Sequence, residues 1–231
     1  DFSGYTDIAI GLALILGFKI PVNFNAPYQA TSLTDFWHRW HISLSTWLKD
    51  YLYIPLGGNR KGTVRMYLNL LVTMILGGLW HGANLRFVIW GAIHGFILAV
   101  EKLFRSLVSS PKRLTWLWQI ISVFLTFQII SFAWIFFRLE SDEKVLQFFY
   151  QLGNHFIPQN PLGDWVAYKN ILLVFVLGLL LVWTPFKIKE KIRGNFIASP
   201  MIIQIFLSIV LLTVISMVTQ SELQPFIYFR F

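Results

Sequence analysis

Long uncharged apolar runs restrict this chain to the folds that proteins adopt in lipid. No charged residue occurs from Leu114 to Phe137, from Asn195 to Ser221, or between Lys169 and Lys187. A helix rises about 1.5 Å per residue, so roughly 20 apolar residues cross a hydrocarbon core about 30 Å thick. Charged residues make up 13% of the chain, against about 25% in soluble domains. We therefore predict an all-α integral membrane protein in which these three runs are spans.

The basic residues lie between the apolar runs. The net charge is +8, but no continuous basic stripe of the kind that binds nucleic acid is present, so we predict no nucleic-acid partner. Segments 19–65, 102–113 and 187–193 are basic, whereas 138–169 holds three basic and four acidic residues. Basic loops face the cytoplasm, which places the C-terminus outside. The absence of cysteine excludes disulfides, thiolate metal sites and a nucleophilic thiol.

We predict a single membrane domain over residues 1–231, with two segments outside its spans. Residues 21–63 mix proline, asparagine, glycine, histidine and charges of both signs, which is too polar for a lipid-facing span. Apolar residues recur at helical spacing from Leu33 to Tyr51, so this segment is expected to be an amphipathic, interfacial helix. Residues 140–168 form the longest candidate external loop.

Two further runs, Met66–Trp80 and Phe87–Val100, are apolar but short. Glycines, Arg86 and His94 interrupt or flank them. Irregular backbone is tolerated at membrane depth only inside protein or beside a water-filled cavity. These runs therefore predict tilted or re-entrant helices around a cavity, in which Arg86 and His94 have structural roles.

His81 is the first candidate for chemistry. It follows a membrane-depth apolar run within GGLWHGAN at residues 77–84, and an ionisable residue in such a place indicates function. An imidazole can take a proton from a hydroxyl and return it to a leaving group near neutral pH. The alternative is a packed histidine bonded to a backbone carbonyl, and position alone leaves both interpretations open.

His38 and His41 are three residues apart and would share one face of a continuous helix. Two histidines on one face could bind a metal, but the sequence has neither an HExxH pattern nor a nearby carboxylate triad. We therefore predict no metal site. An interfacial segment with His41 turned toward a cavity is the favoured interpretation.

Five sequence blocks, in this order, resemble a known family. The blocks are DFSGYTDIAIGLALILGF at residues 1–18, FWHRWHISLSTWLKDYLYIPLGGNRKG at 36–62, GGLWHGANLRFVIWGAIHG at 77–95, FAWIFFR at 132–138 and PFIYFRF at 225–231. Together they resemble the bacterial alginate O-acetylation branch of the membrane-bound O-acyltransferase (MBOAT) superfamily. The resemblance covers essentially the whole chain.

That resemblance implies a multi-helix bundle around a funnel, in a multi-pass protein of the bacterial inner membrane. The family's signature histidine matches His81, and a second signature histidine matches His41. Both are therefore expected to be catalytic, with acetyl-CoA as donor substrate, no bound cofactor, an extracytoplasmic partner protein and a polysaccharide acceptor such as alginate. Relatives carry a further multi-helix half before the DFSGY block, so we expect this chain to lack an N-terminal half.

Two other functions are compatible with the same residues. A transporter component would also have broken helices and intramembrane polar groups, although the sequence shows no inverted repeat and no acidic coupling site within a span. A non-catalytic membrane scaffold would bind a periplasmic acyltransferase without turning over acyl-CoA. We rank the enzyme first, the scaffold second and the transporter third.

Overall fold

The structure, a computed structural model, describes residues 2–107, 116–154 and 161–219, with side chains described for all but residues 161–167, 170, 186, 214–215 and 217–219. The described residues form α-helices, short 3-10 and π-helical turns and loops, and they contain no β-strand. The helices are α1 Phe2–Ile15, α2 Leu33–Trp37, α3 Ile42–Leu48, α4 Thr63–Trp80, α5 Leu85–Leu107, α6 Trp116–Arg138, α7 Asp142–Asn154, α8 Pro161–Trp183, α9 Phe186–Ala198 and α10 Met201–Thr219.

Three of these helices, α4, α5 and α6, are long and apolar enough to cross a membrane. Helix α6 coincides with the uncharged run predicted as a span. The run between Lys169 and Lys187 belongs to a pair of helical stretches, Ile171–Trp183 and Lys187–Ala198, bent by 90° as a broken span or re-entrant loop. The predicted all-α integral membrane fold is confirmed.

The chain divides into two contact units, residues 1–159 and residues 160–231. The first contains the hydrophobic core, which joins α2 to α4, α5, α6 and α7. Its buried members are Ala30, Leu33, Phe36, Trp37, Met74, Trp90, Ile130, Ala133, Phe136 and Val145. In the second unit, none of the residues with a described side chain is buried. A single membrane domain over residues 1–231 stays a prediction.

Helices α4 and α5 form an antiparallel pair with very close backbones. A Cβ on Gly78 would overlap the carbonyl of Phe87, one on Gly91 would overlap the carbonyl of Met74, and one on Gly95 would lie 2.8 Å from the Cα of Leu71. Both helices are uninterrupted over 18 and 23 residues. The glycines that interrupt these runs in the sequence therefore do not break the helices, because they lie where the helices touch; the tilt of the helices stays a prediction.

The prediction of a single amphipathic helix within residues 21–63 is wrong. The apolar stretch from Leu33 to Tyr51 instead forms α2, α3 and part of a π-helical turn at Lys49–Tyr53. Ser32 caps α2 by accepting a hydrogen bond from the Asp35 amide, and the Glu101 carboxylate accepts from the Leu33 and Thr34 amides. The interfacial position of this segment stays a prediction.

The segment 140–168, predicted as an external loop, is helical over much of its length. Helix α7 begins after Ser141, whose hydroxyl accepts a hydrogen bond from the Lys144 amide, and α8 begins at Pro161. Residues 155–160 lie outside the described residues, as does the aromatic block at 225–231. Which side of the membrane the segment faces stays a prediction.

Candidate functional site

His81 lies in the turn between α4 and α5 and caps the carboxyl end of α4. Its amide donates to the Gly78 and Leu79 carbonyls, and only 8% of the residue is exposed. The next residue, Gly82, has a φ of +155°, and a Cβ there would lie 2.8 Å from the Phe87 ring. Glycine at this position lets the chain reverse while Phe87 packs against the turn.

Aromatic rings surround the His81 imidazole. Trp80 and Phe137 each lie 4.9 Å from it between ring centroids, Trp90 lies 5.5 Å away and Phe87 lies 6.2 Å away. Such an environment favours a neutral imidazole because rings cannot solvate a charge as water does. Burial, with a smaller contribution from a charge on His41, lowers the pKa of His81 to about 4.

His41 begins α3 with its backbone in the left-handed region, at φ 43° and ψ 55°. A non-glycine residue there is strained by about 1–2 kcal/mol, and such strain is concentrated at functional sites. Its ring packs edge-on against Phe2 at 4.8 Å and parallel to Phe24 at 6.4 Å. The structure thus positions the His41 ring tightly despite the backbone cost.

The two predicted site histidines, His41 and His81, interact electrostatically. The charge on His41 is one cause of the lowered pKa of His81, and burial lowers the pKa of His41 itself to about 4. Because both lie outside the spanning helices and both favour the neutral form, each presents an unprotonated nitrogen at pH 7. Either can act as a base.

His38, by contrast, is exposed at the end of α2. The reversal at His41 separates the two residues, so the predicted shared helix face is wrong. The prediction assumed one continuous helix through His38 and His41. The left-handed backbone of His41 instead interrupts the helical repeat between α2 and α3. Within the described residues, no three histidine or acidic side chains are grouped as metal ligands.

His94 is buried and Arg86 is half-buried, and their structural roles stay predictions. The Arg86 guanidinium donates to the Phe137 and Leu139 carbonyls at the end of α6. His94 is 1% exposed, neither of its ring nitrogens has a hydrogen-bond partner in the described part of the chain, and its ring lies 4.6 Å from Trp90. The contacts of Arg86 hold Phe137 against His81, which is consistent with a structural role.

A cavity of about 360 Å³ is lined by residues of α2, α3, α4 and α5. Trp37 lines it and lies 5.9 Å from Trp90. Its wall is mainly apolar, with Lys49 and Lys102 among its polar residues. Its volume falls in the usual range of small-molecule sites, about 300–1,000 Å³.

Residues 1–139, which contain α1 to α6 and both site histidines, match the membrane-bound O-acyltransferase (MBOAT) family. The chain belongs to this family. Among MBOAT relatives, a probable alginate O-acetylase AlgI of Azotobacter vinelandii is 54% identical over 165 residues, covering 71% of this chain and 31% of the relative.

Two other relatives carry different names. A peptidoglycan O-acetyltransferase of Helicobacter pylori is 48% identical over 64% of the chain, covering 28% of the relative. A teichoic acid D-alanyltransferase of Bacillus subtilis is 32% identical over 59% of the chain, covering 37% of the relative. The chain therefore spans roughly a third of the length of these MBOAT relatives.

The family match confirms the predicted resemblance, and together with α4, α5 and α6 it confirms a multi-pass protein of the bacterial cell membrane. Asn23 was not predicted from the sequence as a site residue, but its carboxamide oxygen lies 3.3 Å from Nδ1 of His41. No local pattern marks it, because Asn23 is 18 residues before His41 and is brought there by the loop preceding α2.

Proposed function

We propose that the intact protein is an O-acyltransferase that moves an acetyl group from acetyl-CoA toward the hydroxyls of an extracytoplasmic polysaccharide such as alginate, with His81 as general base. The observation that carries this proposal is His81 itself: a buried imidazole enclosed by aromatic rings, whose pKa is lowered by burial and by a charge on His41. A base of this kind keeps its lone pair at the pH at which the cell works.

In the proposed reaction, the acetyl group passes directly from the thioester to the acceptor hydroxyl. His81 takes the proton of an acceptor hydroxyl while that oxygen attacks the thioester carbonyl. A carbon–oxygen bond forms, the carbon–sulfur bond breaks, and the departing thiolate takes the proton back from the imidazolium. His41 supplies a second acceptor nitrogen that holds the hydroxyl in place. The surrounding rings exclude water, which would otherwise hydrolyse the thioester.

The cavity next to Trp37 supports a phosphorylated thioester as donor. Coenzyme A combines anionic phosphates with a long, weakly polar arm, and the cavity combines Lys49 and Lys102 with an apolar wall. Trp37 and Trp90 connect this cavity to the His81 enclosure through ring contacts at 5.9 and 5.5 Å. The donor would enter from the basic, cytoplasmic side.

The names of the relatives support the choice of acyl group and acceptor. Two of the reported relatives are named for O-acetylation, of alginate and of peptidoglycan, and the third for D-alanylation of teichoic acid. We propose acetyl and alginate because identity is highest to the alginate relative among these three. We further propose an extracytoplasmic partner protein that receives or places the acetyl group.

The test is transfer of labelled acetyl groups from acetyl-CoA to added glycan by the intact parent protein in nanodiscs. His81→Ala should abolish transfer while leaving the amount of folded protein unchanged. Asn154→Ala is the control, because Asn154 is an exposed polar residue at the end of α7, and this variant should retain wild-type transfer.

Full transfer by the His81→Ala variant would overturn the assignment of the base. Partner binding that survives His81→Ala, with no acetyl-CoA turnover by wild type, would make the protein a scaffold. Glycan or ion flux in proteoliposomes without acetyl transfer would make it a transporter component.

A further inference from the structure

We propose that Asn23 is a positioning residue that fixes the tautomer of His41, with the proton on Nδ1 and the lone pair on Nε2. The tautomer follows from hydrogen-bond geometry alone. Its catalytic consequence, an Nε2 that accepts a hydrogen bond from the acyl acceptor, rests on the proposed function.

The hydrogen bonds of Ser43 determine the orientation of the Asn23 carboxamide. Its Oδ1 accepts hydrogen bonds from the Ser43 amide and the Ser43 hydroxyl, both at 3.0 Å. A backbone amide can only donate, so the reversed carboxamide would place two donors against each other. The atom that faces α3 is therefore the oxygen.

The orientation of Asn23 in turn determines which ring nitrogen of His41 carries the proton. The same Oδ1 lies 3.3 Å from Nδ1 of His41, and a carboxamide oxygen can only accept. If Nδ1 were unprotonated, two lone pairs would face each other. The arrangement is satisfied only when Nδ1 donates, which leaves the lone pair on Nε2.

Ser43 completes this assignment. Its hydroxyl lies 3.4 Å from Nδ1 of His41, and its proton is already directed to Asn23 at 3.0 Å. The Ser43 oxygen is thus free to accept as a second, weaker acceptor for the Nδ1 proton. The Asn23 carboxamide oxygen and the Ser43 hydroxyl oxygen can therefore both accept a hydrogen bond from Nδ1 of His41.

The backbone holds the same residues together. The Ile42 amide donates to the Asn23 carbonyl at 3.0 Å, so Asn23 contacts the start of α3 through both its main chain and its side chain. These bonds hold His41 in its left-handed conformation, and Phe2 and Phe24 restrict the ring. A strained backbone persists only where its surroundings determine it, and Asn23 supplies much of that determination.

The test is ¹⁵N NMR of the intact protein with labelled histidine, in which protonated and unprotonated ring nitrogens differ widely in chemical shift. The His41 signals are assigned by their loss in His41→Gln. We expect a protonated Nδ1 and an unprotonated Nε2 for His41 in the wild type near pH 7. A proton on Nε2 in the wild type would overturn the proposal without any variant being made.

Two variants sharpen the test. In Asn23→Asp the carboxylate still accepts from Ser43 and His41, so the Nδ1 proton and transfer activity should remain. In Asn23→Ala the His41 population should move toward the Nε2-protonated tautomer, and kcat should fall about 10- to 100-fold with KM for acetyl-CoA unchanged, a loss like that seen when the partner orienting a metal-ligating histidine is removed. An unchanged tautomer in Asn23→Ala would refute the positioning role.

The outcome for the tautomer and the outcome for the proposed function remain separable. If acetyl transfer proves independent of His81, the proposed function fails, while the NMR result on His41 still decides the role of Asn23. Ser43→Ala is the matched control, since it removes the weaker neighbour and should leave the His41 proton on Nδ1.

Discussion

The two contact units differ in a way that reverses the rule for soluble proteins. Helices α8 and α10, in the second unit, are on average more apolar than α4 and α5, yet none of their described side chains is buried. Helices α4 and α5, in the first unit, contain more polar and small residues and form the centre of the packed region. Apolar character alone therefore does not identify the core here.

Lipid explains the difference. A leucine side chain is as well solvated by acyl chains as by protein, so apolar helices gain little by packing against one another. Close packing requires small residues, and polar side chains require partners. In the first unit, Gly78 and Gly91 provide the close approach, and Asn69, Thr73 and His94 are buried. The family match, residues 1–139, covers this region.

The largest effect should come from filling the contact between α4 and α5. Gly91→Leu places a side chain where even a Cβ would overlap the Met74 carbonyl, so the helices must separate. We expect a loss of about 3 kcal/mol or more in unfolding free energy, measured by denaturant titration in mixed micelles.

The matched control for that variant lies in the second unit. Gly178 in α8 has no atom within 4 Å of an added Cβ, so Gly178→Leu should not lower stability. Equal losses from the two leucine variants would contradict the contrast between the units.

The next effect should come from the arginine that joins α5 to the end of α6. Arg86→Met removes the bonds to the Phe137 and Leu139 carbonyls, at a cost of about 2–3 kcal/mol because bonds from a charged donor are lost. Arg193→Met in α9 removes an exposed ion pair with Glu190, which contributes about 0–1 kcal/mol. Thermal unfolding of both variants provides the comparison; a larger effect at Arg193 would reverse it.

A smaller effect is expected at Glu101. Glu101→Gln keeps one carbonyl-type acceptor but removes the charge that binds the Leu33 and Thr34 amides and the Thr34 hydroxyl. We expect a loss of about 1–2 kcal/mol and faster amide hydrogen exchange in α2. Glu190→Gln is the control in the second unit, and exchange in α2 should be unaffected by it.

A last effect, spread over several pH units, should be the dependence of stability on acidity. His41 and His81 have pKa values lowered to about 4, so between about pH 6.5 and 4 the unfolded chain binds more protons than the native one. Unfolding free energy should therefore fall as the pH drops through this window, by at most about 1.4 kcal/mol per pH unit for each histidine.

His81→Gln should flatten that dependence. The segment 160–231 contains no histidine, so variants confined to it should leave the slope unchanged. A slope that stays the same in His81→Gln would show that the imidazole is solvated in the native state.

Hydropathy and charge were sufficient to predict the membrane class and α6, because a run without charge has few alternatives in lipid. His81 was found because a polar residue beside an apolar run is unusual. The helices α4 and α5 were predicted as tilted or re-entrant because glycines interrupt their apolar runs. The same glycines permit either a break or a close contact, and only the partner helix decides between them. The spacing G-x-x-x-G at Gly91 and Gly95 could have indicated contact.

The segment around His41 also differs from its prediction, because one helix was expected and two short helices, α2 and α3, are present. Helical spacing of apolar residues continues through it, and the left-handed turn that ends the repeat depends on Asn23 and Ile42 being bonded together. Such a contact joins residues far apart in sequence. A single sequence provides no local signal for it.

The short turn between α4 and α5 also has a consequence for biogenesis. Only the four residues from His81 to Asn84 separate the two helices, so they can leave the translocon together as a closed hairpin. Asn69, Thr73 and His94, which are buried in the folded unit, would then be spared prolonged exposure to lipid. His81, at the tip, can cross the bilayer as an uncharged imidazole, which a lysine or arginine in the same place could not do at comparable cost.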